Sequence, residues 1–189
     1  VYQIPEGAFS DKKSLVKCVL PDKLEAICKN AFVNTSLTGT IQLPEGLKYV
    51  AGFEDTKITN VQFPSTLEEI GNSAFRDCSS LMCEISFPAS LKKIGELAFY
   101  SSAIKGNLAL PEGLEYIGRS AFFYCTDLTG SLTIPNGIKT IYSESFRSCG
   151  FTGNLTLPMG LEEIGRQAFE STKFKGELNI PSTVTTIDV

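Results

Sequence analysis

A proline-centred phrase returns along the whole chain at a nearly constant interval. The segment LPEGLEYIGRSAFFYC at 110–125 is matched by LPMGLEEIGRQAFEST at 157–172, and the two copies stand 47 residues apart. The prolines that mark the phrase are separated by 23, 20, 24, 23, 24, 23 and 23 residues, and they are Pro21, Pro44, Pro64, Pro88, Pro111, Pro135, Pro158 and Pro181. A fixed period in the twenties indicates a solenoid in which each repeat forms one coil.

Three features recur around each proline. The third residue after it is Leu, Ile or Val, and the sixth is Ile or Val in all eight copies. An aromatic column follows at Phe32, Phe53, Phe75, Phe99, Phe122, Phe146 and Phe169. The apolar-x-apolar triplet that precedes most prolines, such as 108–110, has the alternation of a short half-buried strand. The pattern predicts one short strand per coil, ended by the proline, and then a tight turn with proline at its second position.

The repeat also sets the expected domain organisation. We predict a single repeat domain over 1–189, with a partial repeat at 1–20, seven full repeats at 21–180 and a partial repeat at 181–189. Because both ends fall inside a repeat, we expect the chain to be a piece of a longer array. The second full repeat has only 20 residues, which predicts a kink or a tight coil near 50–56.

The full phrase, L-x-L-P-x-G-L-x-x-I-G-x-x-A-F-x-x-C-x-x-L, is read here from Leu108 to Leu128. It resembles the BspA-like (Treponema pallidum type) leucine-rich repeat. The resemblance implies a curved right-handed solenoid with a parallel sheet on its concave side. The predicted fold class is therefore a leucine-rich-repeat solenoid, built from one short parallel β-strand per repeat, turns, short helical or 3-10 segments and little regular α-helix.

Composition excludes several classes of function. The net charge is -4 and no run of Lys or Arg occurs, so we expect binding neither to nucleic acid nor to an anionic membrane. The longest apolar stretches are a few residues, which predicts no transmembrane segment in this chain. Histidine is absent, which rules out Ser-His-Asp and Cys-His nucleophiles and histidine-ligated metals. We predict a protein that is not an enzyme and that has no catalytic residue, no cofactor and no metal site.

Six cysteines need a separate interpretation. Three of them share one repeat position with hydroxyl residues, the full set being Thr35, Thr56, Cys78, Ser102, Cys125, Cys149 and Thr172. Such a position suits a buried small side chain that hydrogen-bonds the loop backbone. No C-x-x-C pair occurs. We expect structural free thiols, with one disulfide or a metal site as the alternatives.

Charge alternates four residues after each proline. The row reads Glu25, Lys48, Glu68, Lys92, Glu115, Lys139 and Glu162, followed by Thr185. In a parallel stack each charge would face opposite charges about 4.8 Å away, and such pairs stabilise by roughly 0.2 to 1 kcal/mol each. We interpret the row as a ladder that supports register and solubility.

The remaining surface for a ligand is the outward side of the strands before the prolines. We predict binding there through small uncharged side chains. On the turns and flanks, we predict a hot spot at the extra aromatic pair of AFFYC. The candidate binding residues are Gln62, Ser86, Asn107, Thr133, Asn154, Thr156, Phe123 and Tyr124.

The resemblance supplies the expected function. Relatives of this type are mostly secreted or surface-anchored proteins of host-associated bacteria and some parasitic protists, and characterised ones are linked to adhesion and host-protein binding. We therefore predict a non-enzymatic binding or adhesion module, extracellular or at the cell surface, which as a monomer takes a protein or glycan ligand of host origin. The alternative is a structural spacer that displays another functional domain.

Overall fold

The computed structural model describes residues 2–188, and these form a stack of coils. Every strand pairing in the stack is parallel. The strands are β1 (Gln3–Ile4), β2 (Ala26–Ile27), β3 (Thr38–Gln42), β4 (Tyr49–Val50), β5 (Lys57–Gln62), β6 (Glu69–Ile70), β7 (Lys93–Ile94), β8 (Gly106–Asn107), β9 (Tyr116–Ile117), β10 (Leu128–Thr129), β11 (Leu132–Thr133), β12 (Thr140–Ile141), β13 (Leu155–Thr156), β14 (Glu163–Ile164) and β15 (Thr186–Ile187).

Each coil contributes strands on both sides of its proline. The strands before the prolines, as predicted, pair coil to coil in β3-β5 and β11-β13, and a bridge joins Ser86 to Ala109 between them. The strands after the prolines form a second set that we did not predict, in sheets of order β1-β2-β4-β6-β7-β9 and β12-β14-β15. Their register places Ile70 opposite Ile94 and Ile94 opposite Ile117, so the aliphatic column found in the sequence becomes a stacked row.

A tight turn links the two strands of each coil. In every copy the proline carbonyl accepts a hydrogen bond from the amide three residues later, as from Leu91 to Pro88 at 3.1 Å and from Leu114 to Pro111 at 3.0 Å. The proline is therefore the first residue of the turn, and our placement of it at the second position was wrong. The missing proline N–H costs nothing there, because the turn uses only the carbonyl.

The segments around the phenylalanine column contain no helix within residues 2–188, so the short helical or 3-10 segments that we expected are absent there. The reason is a left-handed residue two positions before and two positions after the phenylalanine, except at Phe53, where the earlier left-handed residue is Gly52. Around Phe75 these are Ser73 at φ 55° and Asp77 at φ 55°. A left-handed residue at every fourth position prevents the consecutive right-handed dihedrals that a helix needs.

These turn segments are nevertheless bonded from coil to coil. The amide of Phe75 donates to the carbonyl of Ala98 at 2.7 Å, and the amide of Asp77 donates to the carbonyl of Tyr100 at 2.8 Å. The amides between them close turns inside their own coil, as Arg76 does to Ser73 at 3.2 Å. The backbone groups of the turns are therefore satisfied without a helix or a strand.

The core is a continuous row of buried side chains along the stack. Neighbouring rings of the phenylalanine column lie face to face, with centroids 5.2 to 5.7 Å apart from Phe9 through Phe169. The 20-residue repeat keeps both registers, since Val50 pairs with Ile70 and Phe53 stays in the ring stack. Gly52 permits the shortening, because a Cβ there would lie 2.5 Å from the carbonyl oxygen of Cys28.

Candidate ligand-binding face

The strand row is the set of outward side chains two residues before each proline. Its members are Val19, Gln42, Gln62, Ser86, Ala109, Thr133, Thr156 and Asn179, and all of them are exposed. Strand pairing sets Gln42 beside Gln62 and Thr133 beside Thr156. The outward direction that we predicted for Gln62, Ser86, Thr133 and Thr156 is confirmed, and their role in binding stays a prediction.

A shallow groove runs beside this row. Thr133, Thr156 and Asn179 line one side of it, and the proline turns supply the other side through Glu112 and the exposed Met159. Its volume is about 540 Å³. The same row positions line a smaller hollow of about 310 Å³ at Val19 and Gln42. The lining is mostly uncharged, so the groove suits a ligand held by hydrogen bonds and apolar contact.

Asn107 and Asn154 lie four residues before their prolines and cover the next coil. A Cβ at Gly130 would lie 3.0 Å from Asn107 Oδ1, and a Cβ at Gly176 would lie 2.7 Å from Asn154 Oδ1. Both side chains are exposed, yet one side of each rests on the following glycine. Their first role is therefore packing between coils.

Phe123 and Tyr124 lie away from the strand row, on the turn segments. The ring of Phe123 is half-buried and stacks on Tyr100 with centroids 4.9 Å apart, and Arg147 lies 5.5 Å from its centroid. Tyr124 is 55% exposed. The eight predicted residues thus occupy two separate surfaces, and the placement of the aromatic pair on the turns agrees with the sequence prediction.

Sequence reasoning missed a ladder along the position that follows the column phenylalanine. It consists of Glu54, Arg76, Tyr100, Phe123, Arg147 and Glu170 in successive coils. Arg76 pairs with Glu54 at 3.6 Å and lies 5.4 Å from the Tyr100 ring centroid, and Arg147 pairs with Glu170 at 2.7 Å. Burial raises the pKa of Glu54, against the lowering effect of Arg76. A comparison of the residues that directly follow the column phenylalanine in successive repeats would have revealed the ladder.

The alternating charge row lies on one face, as predicted, but only some of its neighbours touch. Lys48 pairs with Glu68 at 3.3 Å and Lys92 with Glu115 at 3.6 Å. The next position of the repeat adds Lys93 to Glu69 at 2.9 Å, and this hydrogen bond is the main cause that raises the pKa of Lys93. The expected ladder is thus confirmed in part, because the remaining neighbours in the row do not meet within 4 Å in residues 2–188.

The shared hydroxyl and thiol position is a buried hydrogen-bonded row. The Thr56 hydroxyl donates to the Phe53 carbonyl at 2.8 Å, and the Cys78 thiol donates to the same carbonyl from the next coil at 3.1 Å. Burial raises the pKa of Cys78 and of Cys125 to about 12. All six cysteines are free, so the prediction of structural thiols is confirmed.

The described residues contain no arrangement that supports catalysis. The chain has no histidine, and no group of Cys, Asp and Glu in residues 2–188 could hold a metal ion. Burial raises the pKa of the Glu54 carboxyl, but this group is paired with Arg76. The buried thiols are protonated at neutral pH and are poor nucleophiles.

Comparison with known families decides the classification. The model of the BspA-type leucine-rich repeat region, which holds six repeat copies, matches residues 2–129 and 82–189. The chain belongs to the BspA-type leucine-rich repeat family. A search of curated protein sequences finds no match. Repeats of this family form binding scaffolds. The parallel solenoid of this chain agrees with the leucine-rich-repeat fold.

Solved structures share the fold. A leucine-rich repeat protein of T. pallidum is 24% identical, with a TM-score of 0.58, and the alignment covers 99% of this chain and 67% of that one. A leucine-rich repeat protein from Bacteroides ovatus is 21% identical, with a TM-score of 0.59, and the alignment covers 100% of this chain and 64% of that one. A leucine-rich cell surface protein of Faecalibacterium prausnitzii is 17% identical, with a TM-score of 0.50, and the alignment covers 100% of this chain and 58% of that one. This chain therefore spans about two thirds or less of each.

Within residues 2–188 the structure has no helix of the length and apolarity that a membrane crossing requires.

Proposed function

We propose that this chain is a non-enzymatic binding module of an extracellular or cell-surface protein, and that it takes a protein or glycan ligand of host origin along the strand row. The observation that carries the proposal is the row itself. Each coil presents one exposed uncharged side chain at the same position, from Val19 to Asn179. Because the coils repeat at about 4.8 Å, these side chains offer regularly spaced contacts to an extended ligand.

The groove beside the row gives the ligand a place to lie. Thr133 and Thr156 can donate and accept hydrogen bonds, and Met159 adds an adaptable apolar wall. The residues of the row carry no charge, so a neutral glycan or polypeptide meets no electrostatic barrier there. Each contact is weak, and the affinity grows with the number of coils that the ligand spans.

The surface location is supported by one protein of similar structure. The similar structure from Faecalibacterium prausnitzii is that of a leucine-rich cell surface protein. At 17% identity this likeness shows a common fold, and the location of the present chain is our proposal by analogy.

A paired-charge variant tests the strand row. The parent chain is first screened against a glycan array and a panel of purified extracellular-matrix proteins. The double variant Thr133→Lys with Thr156→Lys should no longer bind the ligands that the parent binds. The matched control is Thr126→Lys with Thr152→Lys, two exposed threonines of neighbouring coils outside the groove. Sedimentation of the parent should show a monomer. Equal loss in both variants, or equal retention, would contradict the assignment of the strand row.

A structural spacer is the second candidate function. It is favoured by the ladder from Glu54 to Glu170, which ties six successive coils together through ion pairs and stacked rings. A spacer predicts that the parent chain binds no member of either panel. Specific binding that the groove variant removes would exclude it.

A further inference from the structure

Leu97 and Tyr124 stand at left-handed backbone positions that the other coils give to polar residues or glycine. Apart from glycine, the other left-handed positions flanking the phenylalanine column hold polar residues, most of them Asn, Asp or Ser. They are Asp11, Asn30, Asn34, Asp55, Ser73, Asp77, Ser101, Ser120, Glu144, Ser148, Gln167 and Ser171. Leu97 and Tyr124 adopt the same conformation at φ 56° and φ 61°. Short polar side chains relieve this conformation by local hydrogen bonds, which Leu and Tyr cannot do. Serine occupies the equivalent positions in neighbouring coils, at Ser73 and Ser120 for Leu97 and at Ser101 and Ser148 for Tyr124. The turn itself therefore does not require a large side chain at either position.

The surrounding turns have the composition of a binding hot spot. The segments 72–79, 96–103, 119–126 and 143–150 hold three of the four arginines of the chain and no lysine. Protein interfaces are enriched in aromatic residues and arginine and depleted in lysine. We name the surface formed by Leu97, Tyr100, Arg119, Phe123 and Tyr124 the turn patch.

Arg119 differs from Arg76 and Arg147, the other two arginines of these turns, because it has no acidic partner within residues 2–188. Arg147 meets Glu144 at 2.9 Å and Glu170 at 2.7 Å, and Arg76 likewise meets two carboxylates. Arg119 is exposed, and no carboxylate of residues 2–188 lies within 4 Å of its guanidinium.

A hollow of about 300 Å³ lies beside this free guanidinium. Leu97, Tyr100 and Arg119 line it together with Glu96, Ser120 and Glu144. Glu144 already accepts hydrogen bonds from Arg147 and from Ser120. An unpaired cation next to an apolar wall is complementary to a carboxylate that is followed by an apolar side chain.

Two of the three aromatic rings of the patch favour a protein over a sugar. Tyr100 and Phe123 lie face to face at 6°, and Arg76 and Arg147 cover their outer faces. A sugar that stacks on an aromatic residue needs an open ring face, and these two rings present only edges. The closed stack also holds the patch in one conformation, which lowers the entropy cost of docking.

We propose that the turn patch docks a polypeptide segment of a partner protein that carries a carboxylate next to an aromatic or aliphatic side chain. The carboxylate pairs with Arg119. The apolar side chain packs against Leu97 and Tyr100 in the hollow and against the adjoining rings of Phe123 and Tyr124. This surface is separate from the strand row, so it stands or falls independently of the function proposed above.

The test uses a random peptide library displayed on phage and selected on the intact 189-residue chain. We expect the selected peptides to share Asp or Glu within about three residues of Phe, Tyr, Trp or Leu, and to bind more weakly in high salt. Tyr124→Ser and Arg119→Gln should each raise the dissociation constant of such a synthetic peptide about tenfold or more. Met159→Ser, which changes the strand-row groove, should leave that constant unchanged.

The Tyr124→Ser variant should fold like the parent, because neighbouring coils have serine at the position of Tyr124, as at Ser101 and Ser148. Weaker peptide binding by this variant would therefore not be due to unfolding. Equal denaturant midpoints for the parent and the variants will confirm it. Selected peptides without acidic residues, binding that survives both Tyr124→Ser and Arg119→Gln, or a selection that returns no binding peptide would overturn the proposal.

Discussion

Phe122 and Tyr124 are two residues apart in one coil and lie in opposite environments. Phe122 is fully buried between Phe99 and Phe146, with ring centroids 5.4 and 5.5 Å away. Tyr124 is 55% exposed, and Phe123 is its aromatic neighbour at 6.3 Å. The difference follows from the left-handed conformation of Tyr124, which turns the chain outward directly after the phenylalanine column.

Truncation to alanine should change the free energy of unfolding by very different amounts at the two positions. Phe122→Ala leaves a cavity between two stacked rings and should lower the free energy of unfolding by about 3 to 5 kcal/mol. Tyr124→Ala removes a surface side chain and should change it by less than about 1 kcal/mol. Urea denaturation measures both. Equal losses would show that the inward and outward assignments are wrong at this turn.

The buried thiols should make stability fall at alkaline pH. Burial raises the pKa of Cys78 and Cys125 from 9.0 to about 12, so the folded state holds these protons more tightly than the unfolded chain does. Their contribution to stability is fully present below pH 9 and is lost as the pH rises from about 9 toward 12. Urea midpoints measured at several pH values across this range test the decline.

The control for this prediction is the triple variant with serine at Cys78, Cys125 and Cys149, since serine does not ionise in that range and stands at the equivalent Ser102. The triple variant should decline less steeply than the parent. Identical slopes would assign the decline to other groups.

At the scale of the element, each coil must approach the preceding one closely at particular positions. A Cβ added to Gly118 would lie 2.5 Å from the backbone nitrogen of Glu96, while one added to Gly113 would first meet the flexible end of Lys92 at 3.1 Å. Tyr142 stands in the column of Gly118 and Gly165, and the sheet of the strands after the prolines is interrupted between β9 and β12, directly before it.

The two glycines of one repeat should therefore differ in their tolerance of alanine. Gly118→Ala pushes two coils apart and should destabilise by about 1 to 3 kcal/mol, as overpacking does. Gly113→Ala, its control, should stay within about 0.5 kcal/mol of the parent. Thermal melts at one protein concentration compare them, and a tolerated Gly118→Ala would contradict the close approach of the coils.

The charge row gives a salt-dependent prediction. Lys92→Glu removes the pair with Glu115 and places three acidic residues in succession from Glu68. It should destabilise by about 1 kcal/mol at low salt and less at high salt, because the pair is exposed and screened. The control is Lys105→Glu, an exposed lysine outside the row. Similar behaviour of the two variants would remove the case for a ladder.

At the scale of the whole molecule, a coil gains its stability from the coils on either side of it. Phe75 and Phe99 are fully buried, whereas Phe9 is 43% exposed and Ile187 is 53% exposed. One repeat of about 23 residues pays on the order of 1 to 2 kcal/mol per residue in conformational entropy. Apolar burial within one coil does not match this cost, so stacking must supply the difference.

Amide hydrogen exchange should show the resulting gradient. Amides bonded between coils near the middle, such as Phe75 to Ala98, should exchange slowest. Amides after about residue 175 should exchange fastest, because Leu178 and Ile180 are each 50% exposed. Exchange that is uniform along the chain would show instead that the stack opens as a single cooperative unit.

The repeat length, the stacked columns and the side of the strand on which Thr133 and Thr156 lie could all be predicted from the sequence alone. These properties follow from local periodicity, since a side chain that recurs at every coil must have a constant environment. The same argument identified the buried position of Cys78 and Cys125 and the outward charge row.

The tertiary structure decided what depends on neighbours across coils. The strands after the prolines, such as Glu69–Ile70, are only two residues long, and they exist because the adjacent coil offers hydrogen-bond partners. The acidic residue with which each lysine pairs and the hollow beside Arg119 likewise depend on distances between coils. Local sequence determines which way a side chain points along its own coil, and only the packed stack determines what it meets there.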